Sequence, residues 1–139
     1  KGIKYVEKTV NTADEVLSAA NALADAKVDA VFTPTDNTIM NSAAAVGEIF
    51  AEAGIPHYTG ADSFVTAGCF ATCGVNYTDL GTYTADMALE ILQGGAVPTF
   101  HVMDGGIITV NKETAQKLSI DPSVFSSLAG QVVEVDTAA

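Results

Sequence analysis

The stretch Val28-Asp29-Ala30-Val31-Phe32-Thr33-Pro34-Thr35-Asp36-Asn37-Thr38 decides the fold of this chain. Its apolar run from Val28 to Phe32 is typical of a strand that is buried on both faces, as in the middle of a parallel sheet. A stretch with helical apolar spacing follows from Ile39 to Ala53, so residues 35 to 37 lie where a strand ends and a helix begins. Ligands of open α/β sheets bind at such strand ends, although these residues could equally serve only as helix N-caps.

The rest of the chain alternates predicted strands with predicted helices. The predicted strands are Ile3–Val10, Val28–Phe32, Ile55–Tyr58 and Phe70–Val75. The predicted helices run from a Thr12–Glu15 capping box to about Ala26, from Ile39 to Ala53, from Asp62 or Ser63 to Gly68, and from Thr78 or Asp79 to Gln93. Gly54 and Gly94 follow two of them as stops. This order predicts an α/β fold: a three-layer sandwich with a mainly parallel sheet and helices on both faces.

The pattern changes after residue 96. The turn signal Asp104-Gly105-Gly106 between Phe100–Met103 and Ile107–Val110 predicts a β-hairpin. Asn111 is predicted to cap a short helix to Leu118, and a helical turn follows at residues 121 to 123. Gln131–Val135 is predicted as a final strand.

The charge of the chain restricts its partners. The 139 residues carry a formal net charge of −11, with six lysines and no arginine. Such a surface repels phosphate backbones, which argues against nucleic acid and anionic membranes as partners. Without arginine, an anionic group on a ligand has to be held by backbone amides, hydroxyls or another lobe.

The sequence contains no pattern typical of a catalytic site. It has neither a Gly-x-Ser-x-Gly elbow nor a Walker loop, and His57 and His101 lack partners at triad or metal spacing. We therefore expect no catalytic residue, no metal and no cofactor. Cys69 and Cys73 would lie roughly 13 Å apart on one strand, beyond disulfide reach, so both are predicted to be free thiols.

Polar side chains follow three consecutive predicted strands at the point where each strand ends. In a parallel sheet these loops meet at one edge, which predicts a ligand-binding rim. Carboxylates without a local cation suit an ammonium or hydroxyl-rich ligand, and a tyrosine can add an aromatic wall or simply pack at the core edge. The candidate residues are Thr35, Asp36, Asn37, Asp62, Ser63, Asn76 and Tyr77.

Four segments of the chain, in this order and spacing, resemble the ABC-transporter substrate-binding proteins. The resemblance is to the group of these proteins that includes tryptophan- and tyrosine-binding lipoproteins. The segments are the opening stretch, Gly54-Ile55-Pro56, Gly68–Tyr77 with Leu80-Gly81, and Ile108–Ala115.

The resemblance implies a type I periplasmic-binding-protein-like fold with two lobes that close on a small solute, often an amino acid. Residues 1–77 would belong to the second, ligand-binding lobe, and residues 78–139 would form a crossover helix, a hairpin and C-terminal helices. Asp36 would be the ammonium counter-ion, with Thr35 and Asn37 as hydrogen-bonding neighbours. A leader and a first lobe would lie upstream, so the chain resembles a fragment.

By the same resemblance, the partners would be a membrane permease and an ATPase, and the location would be extracytoplasmic, either periplasmic or lipid-anchored. The helix from Asp79 to Gln93 would pack on the first lobe. We therefore expect this chain alone to form a homodimer or to fold that helix back onto its own sheet.

Two other functions fit the same fold class. One is the ligand-sensing effector domain of a transcriptional regulator. The other is a flavodoxin-like enzyme or phospho-acceptor domain with Asp36 as its nucleophile. A phospho-acceptor needs a lysine on a late strand end, whereas Lys112 and Lys117 both fall in a predicted helix.

Overall fold

A computed structural model describes residues 2–103 and 106–138 of the chain. A five-stranded sheet with the order β1-β2-β3-β4-β5 lies at its centre. Strands β1 to β3 are parallel, β4 runs antiparallel to β3, and β5 runs parallel to β4. The prediction of a mainly parallel α/β sheet is confirmed. The strands are β1 Val31–Thr33, β2 His57–Thr59, β3 Ala71–Gly74, β4 Ile107–Asn111 and β5 Gln131–Val135.

The helices begin and end largely at the predicted capping residues. Thr12 accepts a hydrogen bond from the Glu15 amide, and Gly54 and Gly94 follow their helices with positive φ angles of 70° and 91°. Glycine adopts that left-handed conformation without the steric cost of a Cβ atom. The helices are α1 Ala13–Asp25, α2 Asn37–Met40, α3 Ala43–Glu52, α4 Asp62–Thr66, α5 Tyr77–Leu92 and α6 Lys112–Lys117, with a 3₁₀ turn at Pro122–Phe125.

Helices cover both faces of the sheet. On one face, Val16 of α1 and Phe50 of α3 pack in one cluster with Val31 of β1. On the other face, Tyr58 of β2 packs edge-on against Phe70, which in turn contacts Phe125 of the 3₁₀ turn. The predicted three-layer sandwich is therefore confirmed.

The predicted strand Ile3–Val10 is wrong. This segment is not hydrogen-bonded into the sheet, and its apolar side chains, such as Ile3 and Tyr5, are exposed except for the half-buried Val10. Alternating side chains are not enough for a strand, because the backbone also needs a hydrogen-bonded neighbour.

β1 therefore pairs with β2 on one side only, and Phe32 on it is 68% exposed. The prediction that Val28–Phe32 is buried on both faces in the middle of the sheet is wrong as well, because β1 is the edge strand of the described sheet.

The predicted helix Ile39–Ala53 is divided into α2 and α3. Asn41 and Ser42 interrupt it, and the Ser42 amide donates to the Ile39 carbonyl in a tighter turn. Asparagine and serine favour helix ends over helix interiors, because their side chains compete for the backbone. The break lets Ile39 and Met40 pack beside Ala43 in the cluster under α4.

The predicted cap of α4, Asp62 or Ser63, and the predicted start of α5 are also wrong. Ala61 precedes α4, so Asp62 and Ser63 lie inside its first turn instead of capping it. Asn76 caps α5, so that helix begins at Tyr77, ahead of the predicted Thr78 or Asp79.

The predicted hairpin before residue 110 does not form. Phe100–Met103 is not a strand, and Asp104 and Gly105 of the predicted turn lie outside the described residues. β4 instead lies between β3 and β5, which occupy both of its edges. Asn111 caps α6 as predicted, and the predicted final strand is confirmed as β5. The division at residue 77 stays a prediction; β4 and β5 join the same sheet as the earlier strands.

One region differs from the sheet and the other helices, which pack together and which we call the body. We call Tyr77–Met103, which comprises α5 and the segment after it, the arm. No residue of α5 is buried, and Leu92 and Phe100 are 85% and 77% exposed. Among the described residues, no helix combines the length and apolar character that a membrane crossing requires.

Candidate functional site

A cleft of about 330 Å³ opens at the sheet edge where β2 and β3 end. The loop after β2 contributes Gly60 and Asp62, and the loop after β3 contributes Asn76 and Tyr77. Two of the three strand ends predicted to carry a binding site therefore border a cavity. Asp62, Asn76 and Tyr77 line it, whereas the structure places Thr35, Asp36, Asn37 and Ser63 outside its lining.

The loop after β1 nevertheless touches the cleft wall. A Cβ atom added to Gly60 would lie 2.6 Å from the Thr35 hydroxyl and 2.7 Å from the Thr35 amide nitrogen. Such distances are far below van der Waals contact, so only glycine lets the two loops approach this closely. Thr35 therefore adjoins the cleft at Gly60.

Asp36 acts as a helix cap. Its Oδ1 accepts a hydrogen bond of 3.0 Å from the Ile39 amide at the start of α2. The capping interpretation of Asp36 is thus confirmed, while Asn37 is the first residue of α2. Since Asp36 is exposed, its carboxylate is open to a second partner, and its ligand role stays a prediction.

Asn76 and Tyr77 form the opposite rim. The Asn76 Oδ1 accepts hydrogen bonds from the amides of Thr78 and Asp79, at 2.8 and 3.2 Å. With its oxygen occupied by the backbone of α5, the Asn76 side chain offers its NH₂ group as a donor. Tyr77 is 56% exposed beside it, so both its ring face and its hydroxyl are accessible.

The cleft carries negative charge without a compensating cation. In the part of the chain that the structure describes, Lys112 and Asp136 form the one ion pair, at 3.1 Å, and neither residue lines the cleft. The Asp62 carboxylate is therefore available to a positively charged group. Within the same residues, no three histidine, cysteine, aspartate or glutamate side chains cluster as a metal site would need.

Sequence reasoning missed the floor of the cleft. The floor consists of side chains from β3, β4 and β5, namely Thr72, Thr109, Val133 and Gln131. The Thr72 hydroxyl donates to the Thr59 carbonyl at 2.7 Å, which leaves the Thr72 oxygen free to accept. No sequence signal identifies Thr109 or Gln131, because only the pairing of distant strands brings them to this edge.

His57 lies in the core, away from the cleft lining. It is 1% exposed, packs edge-on against Phe50, and shares a 3.0 Å hydrogen bond between its Nε2 and the Thr33 hydroxyl. Its Nδ1 has no partner, and burial lowers the pKa of His57 to about 4. The imidazole is therefore neutral at physiological pH. His101, in contrast, is exposed and stacks on Tyr83 in the arm.

Both cysteines are free, as predicted, although they do not share a strand: β3 begins at Ala71 and contains only Cys73. Cys69 is buried beneath α3 and α4, and burial raises the pKa of its thiol to about 12, whereas Cys73 is exposed.

Comparison with known proteins identifies similar sequences. The family model described as ABC transporter substrate binding protein matches residues 1–133. A tyrosine-binding protein from Clostridioides difficile (strain R20291) is 35% identical over 125 residues, which are 85% of this chain and 36% of that protein.

Solved structures resemble the chain as well. The ligand-free, open form of a substrate-binding protein with adhesive properties from Clostridium difficile has a TM-score of 0.77 and 33% identity, over 99% of this chain and 45% of that one. A conserved domain protein from Vibrio cholerae has a TM-score of 0.74 and 30% identity, over 94% of this chain and 45% of that one. A Streptococcus pneumoniae ABC domain in complex with L-Trp has a TM-score of 0.69 and 30% identity, over 89% of this chain and 43% of that one. The chain thus spans less than half the length of these relatives.

Proposed function

We propose that the cleft captures a free amino acid for an importer. The chain belongs to the ABC transporter substrate-binding protein family, and this membership is the premise of the proposal. The resemblance drawn from the sequence motifs is confirmed by the match to that family. Family membership indicates a binding protein, and we propose that the chain carries no catalytic activity of its own. No observation favours the alternatives of a regulator's effector domain or a flavodoxin-like enzyme.

The observation that carries this proposal is the chemistry of the cleft. It combines the Asp62 carboxylate with neutral donors and acceptors from Asn76, Thr109 and Gln131, and it contains no cation. A carboxylate attracts an ammonium group, and neutral amides and hydroxyls can hold the ligand's own carboxylate. A tyrosine-binding relative and a relative solved with L-Trp support an aromatic amino acid as the ligand.

The rest of the proposed function concerns a longer protein. We propose that this chain forms one wall of an interlobe cleft, and that a preceding lobe closes over it and covers the arm. A membrane permease and an ATPase would then receive the solute, and the protein would act outside the cytoplasm, in the periplasm or anchored at the cell surface. This step is supported by the family membership and by the fact that the chain matches less than half of each relative.

Replacing each rim carboxylate by an amide tests the proposal. Asp36→Asn keeps a good helix cap and removes only the charge. We expect Asp62→Asn to weaken the binding of tyrosine or tryptophan by about 2–5 kcal/mol, because it removes the charged partner of the ammonium group. Asp36→Asn should weaken it less, because the Asp36 carboxylate lies outside the cleft lining. Isothermal titration calorimetry on the full-length protein measures this change.

Asp25→Asn is the matched control, since Asp25 ends α1 at the opposite edge of the sheet and should leave the affinity unchanged. An unchanged affinity for Asp36→Asn would reduce Asp36 to a helix cap. If the unmodified protein binds neither amino acid, the proposed function is wrong.

A further inference from the structure

The antiparallel direction of β4 changes which residues reach the cleft. Because β4 and β5 run opposite to β3, their first residues lie beside its last ones. Gly74 pairs with Ile107, and Ile107 pairs with Gln131. A residue that begins the last strand thus lies at the same edge as loops that leave the parallel strands.

The cleft consequently has two chemically different ends. Asp62 follows β2, whereas Gln131 lies on β5, three strand spacings away in the sheet order. At about 4.8 Å per spacing, strands β2 and β5 are roughly 14 Å apart. Two side chains with a ligand of amino-acid length between them can span such a distance.

The cleft also offers apolar contact surface. Val75, Ile107 and Val133 contribute apolar side chains to its lining, beside the hydroxyls of Thr72 and Thr109. Gln131 is exposed, and its carboxamide makes no hydrogen bond with another described side chain or with the described backbone outside the strand ladder. A carboxamide both donates and accepts, so it suits a neutral polar group at the far end of a ligand.

From this arrangement we infer that Gln131 is a specificity-determining residue that binds the phenolic hydroxyl of tyrosine. The ligand's ammonium group lies toward Asp62, its ring lies against the apolar side chains of the lining, and its hydroxyl reaches Gln131. The inference rests on the proposed function. It adds the prediction that the site prefers tyrosine to phenylalanine, which lacks the hydroxyl.

Calorimetry with tyrosine and phenylalanine tests this on the full-length protein and its Gln131→Leu variant. We expect Gln131→Leu to weaken tyrosine binding about tenfold and phenylalanine binding less than twofold, as for one neutral hydrogen bond. Gln131→Glu retains an acceptor for the hydroxyl and should still prefer tyrosine. Gln116→Leu, on an exposed position of α6, is the matched control and should change neither affinity.

The outcomes separate this inference from the proposed function. Equal losses for both amino acids, or no loss for either, would overturn the role of Gln131 while amino-acid binding stands. An unmodified protein that binds tyrosine and phenylalanine equally would overturn it as well. If the unmodified protein binds neither, the proposed function and the inference fail together.

Discussion

The body and the arm both contain helices with apolar residues at helical spacing, but these residues are buried in the body and exposed in the arm. In α3 of the body, apolar residues at helical spacing are covered, and Val46 and Phe50 are almost fully buried. In α5 of the arm, apolar residues at the same spacing include Leu89 and Leu92, which remain exposed. An apolar stripe therefore predicts that a helix will pack, but it does not identify what the helix packs against.

The largest expected effect concerns the exposed leucines of the arm. We expect the chain alone to form a homodimer through this surface, because large apolar patches mark contact sites. Each buried leucine contributes about 1.5–3 kcal/mol, so Leu89→Glu with Leu92→Glu should weaken the dimer by at least about a hundredfold. Sedimentation equilibrium over a range of concentrations measures the dimer dissociation constant.

Val124→Glu is the matched control for this experiment. Val124 is an exposed valine of the body, on the 3₁₀ turn, and its replacement should leave the dimer intact. We also expect the chain alone to bind amino acids less tightly than the full-length protein. A chain that stays monomeric at every concentration and binds as tightly as the full-length protein would contradict the proposed role of the arm.

The two histidines sharpen the comparison, because His57 lies in the body and His101 in the arm. His57 has a pKa of about 4 in the folded protein, against about 6.5 when unfolded, so the unfolded state binds the proton more readily. Its contribution to stability is therefore complete above pH 6.5 and is lost as the pH falls from 6.5 to 4. The loss amounts to about 3 kcal/mol at pH 4.

Urea unfolding at pH 7 and pH 4 tests this expectation. His57→Gln can keep the hydrogen bond to Thr33 but does not titrate in this range, so it should lose about 3 kcal/mol less than the unmodified protein on acidification. Because the carboxylates contribute equally in both proteins, the difference isolates His57. His101→Gln should follow the unmodified protein, whereas a His57→Gln variant with unmodified pH dependence would contradict the assignment.

A smaller effect separates two asparagine caps. Asn111 is fully buried; its Oδ1 caps α6, while its Nδ2 donates to the Val65 carbonyl and the Thr137 hydroxyl, at 2.9 and 3.0 Å. Asn111→Ala should cost about 2–3 kcal/mol of unfolding free energy, since it removes the cap and leaves the buried Thr114 amide without its acceptor.

Asn76 supplies the matched comparison in an exposed setting. It caps α5 at the base of the arm, and Asn76→Ala should cost only about 1 kcal/mol because water replaces the lost partner. Urea denaturation of both variants gives the two values. Equal costs would mean that the body and the arm do not differ in how strongly they hold their helix ends.

Local sequence signals predicted the helix ends well, whereas the pairing of strands that are distant along the chain was not predicted. Thr12, Gly54, Gly94 and Asn111 ended or began helices as expected, because each acts on its own turn of backbone. Ile3–Val10 failed because a strand depends on a neighbour that its own sequence does not contain. The hairpin failed for the same reason, since β4 pairs with strands far away along the chain.

The residues of the candidate site likewise divide into those that local sequence predicts and those that depend on distant strand pairing. Asp62, Asn76 and Tyr77 were predictable, because parallel strands bring the loops that follow them to one edge. Thr109 lies within β4 and Gln131 begins β5, so neither gave such a signal. Their place in the cleft depends on the reversed direction of β4, which the alternation of elements did not reveal.

The pairing of Gly74 with Ile107 has a consequence for the history of the chain. The arm leaves the sheet after β3 and returns at β4, and the Gly106 amide meets the Gly74 carbonyl at 3.4 Å. Because facing residues in such a pair have Cα atoms about 5 Å apart, the exit and the re-entry are nearly the same point in space. Insertions and deletions between them would not stretch the sheet. Evolution could therefore have lengthened, shortened or exchanged the arm while the five strands kept their pairing.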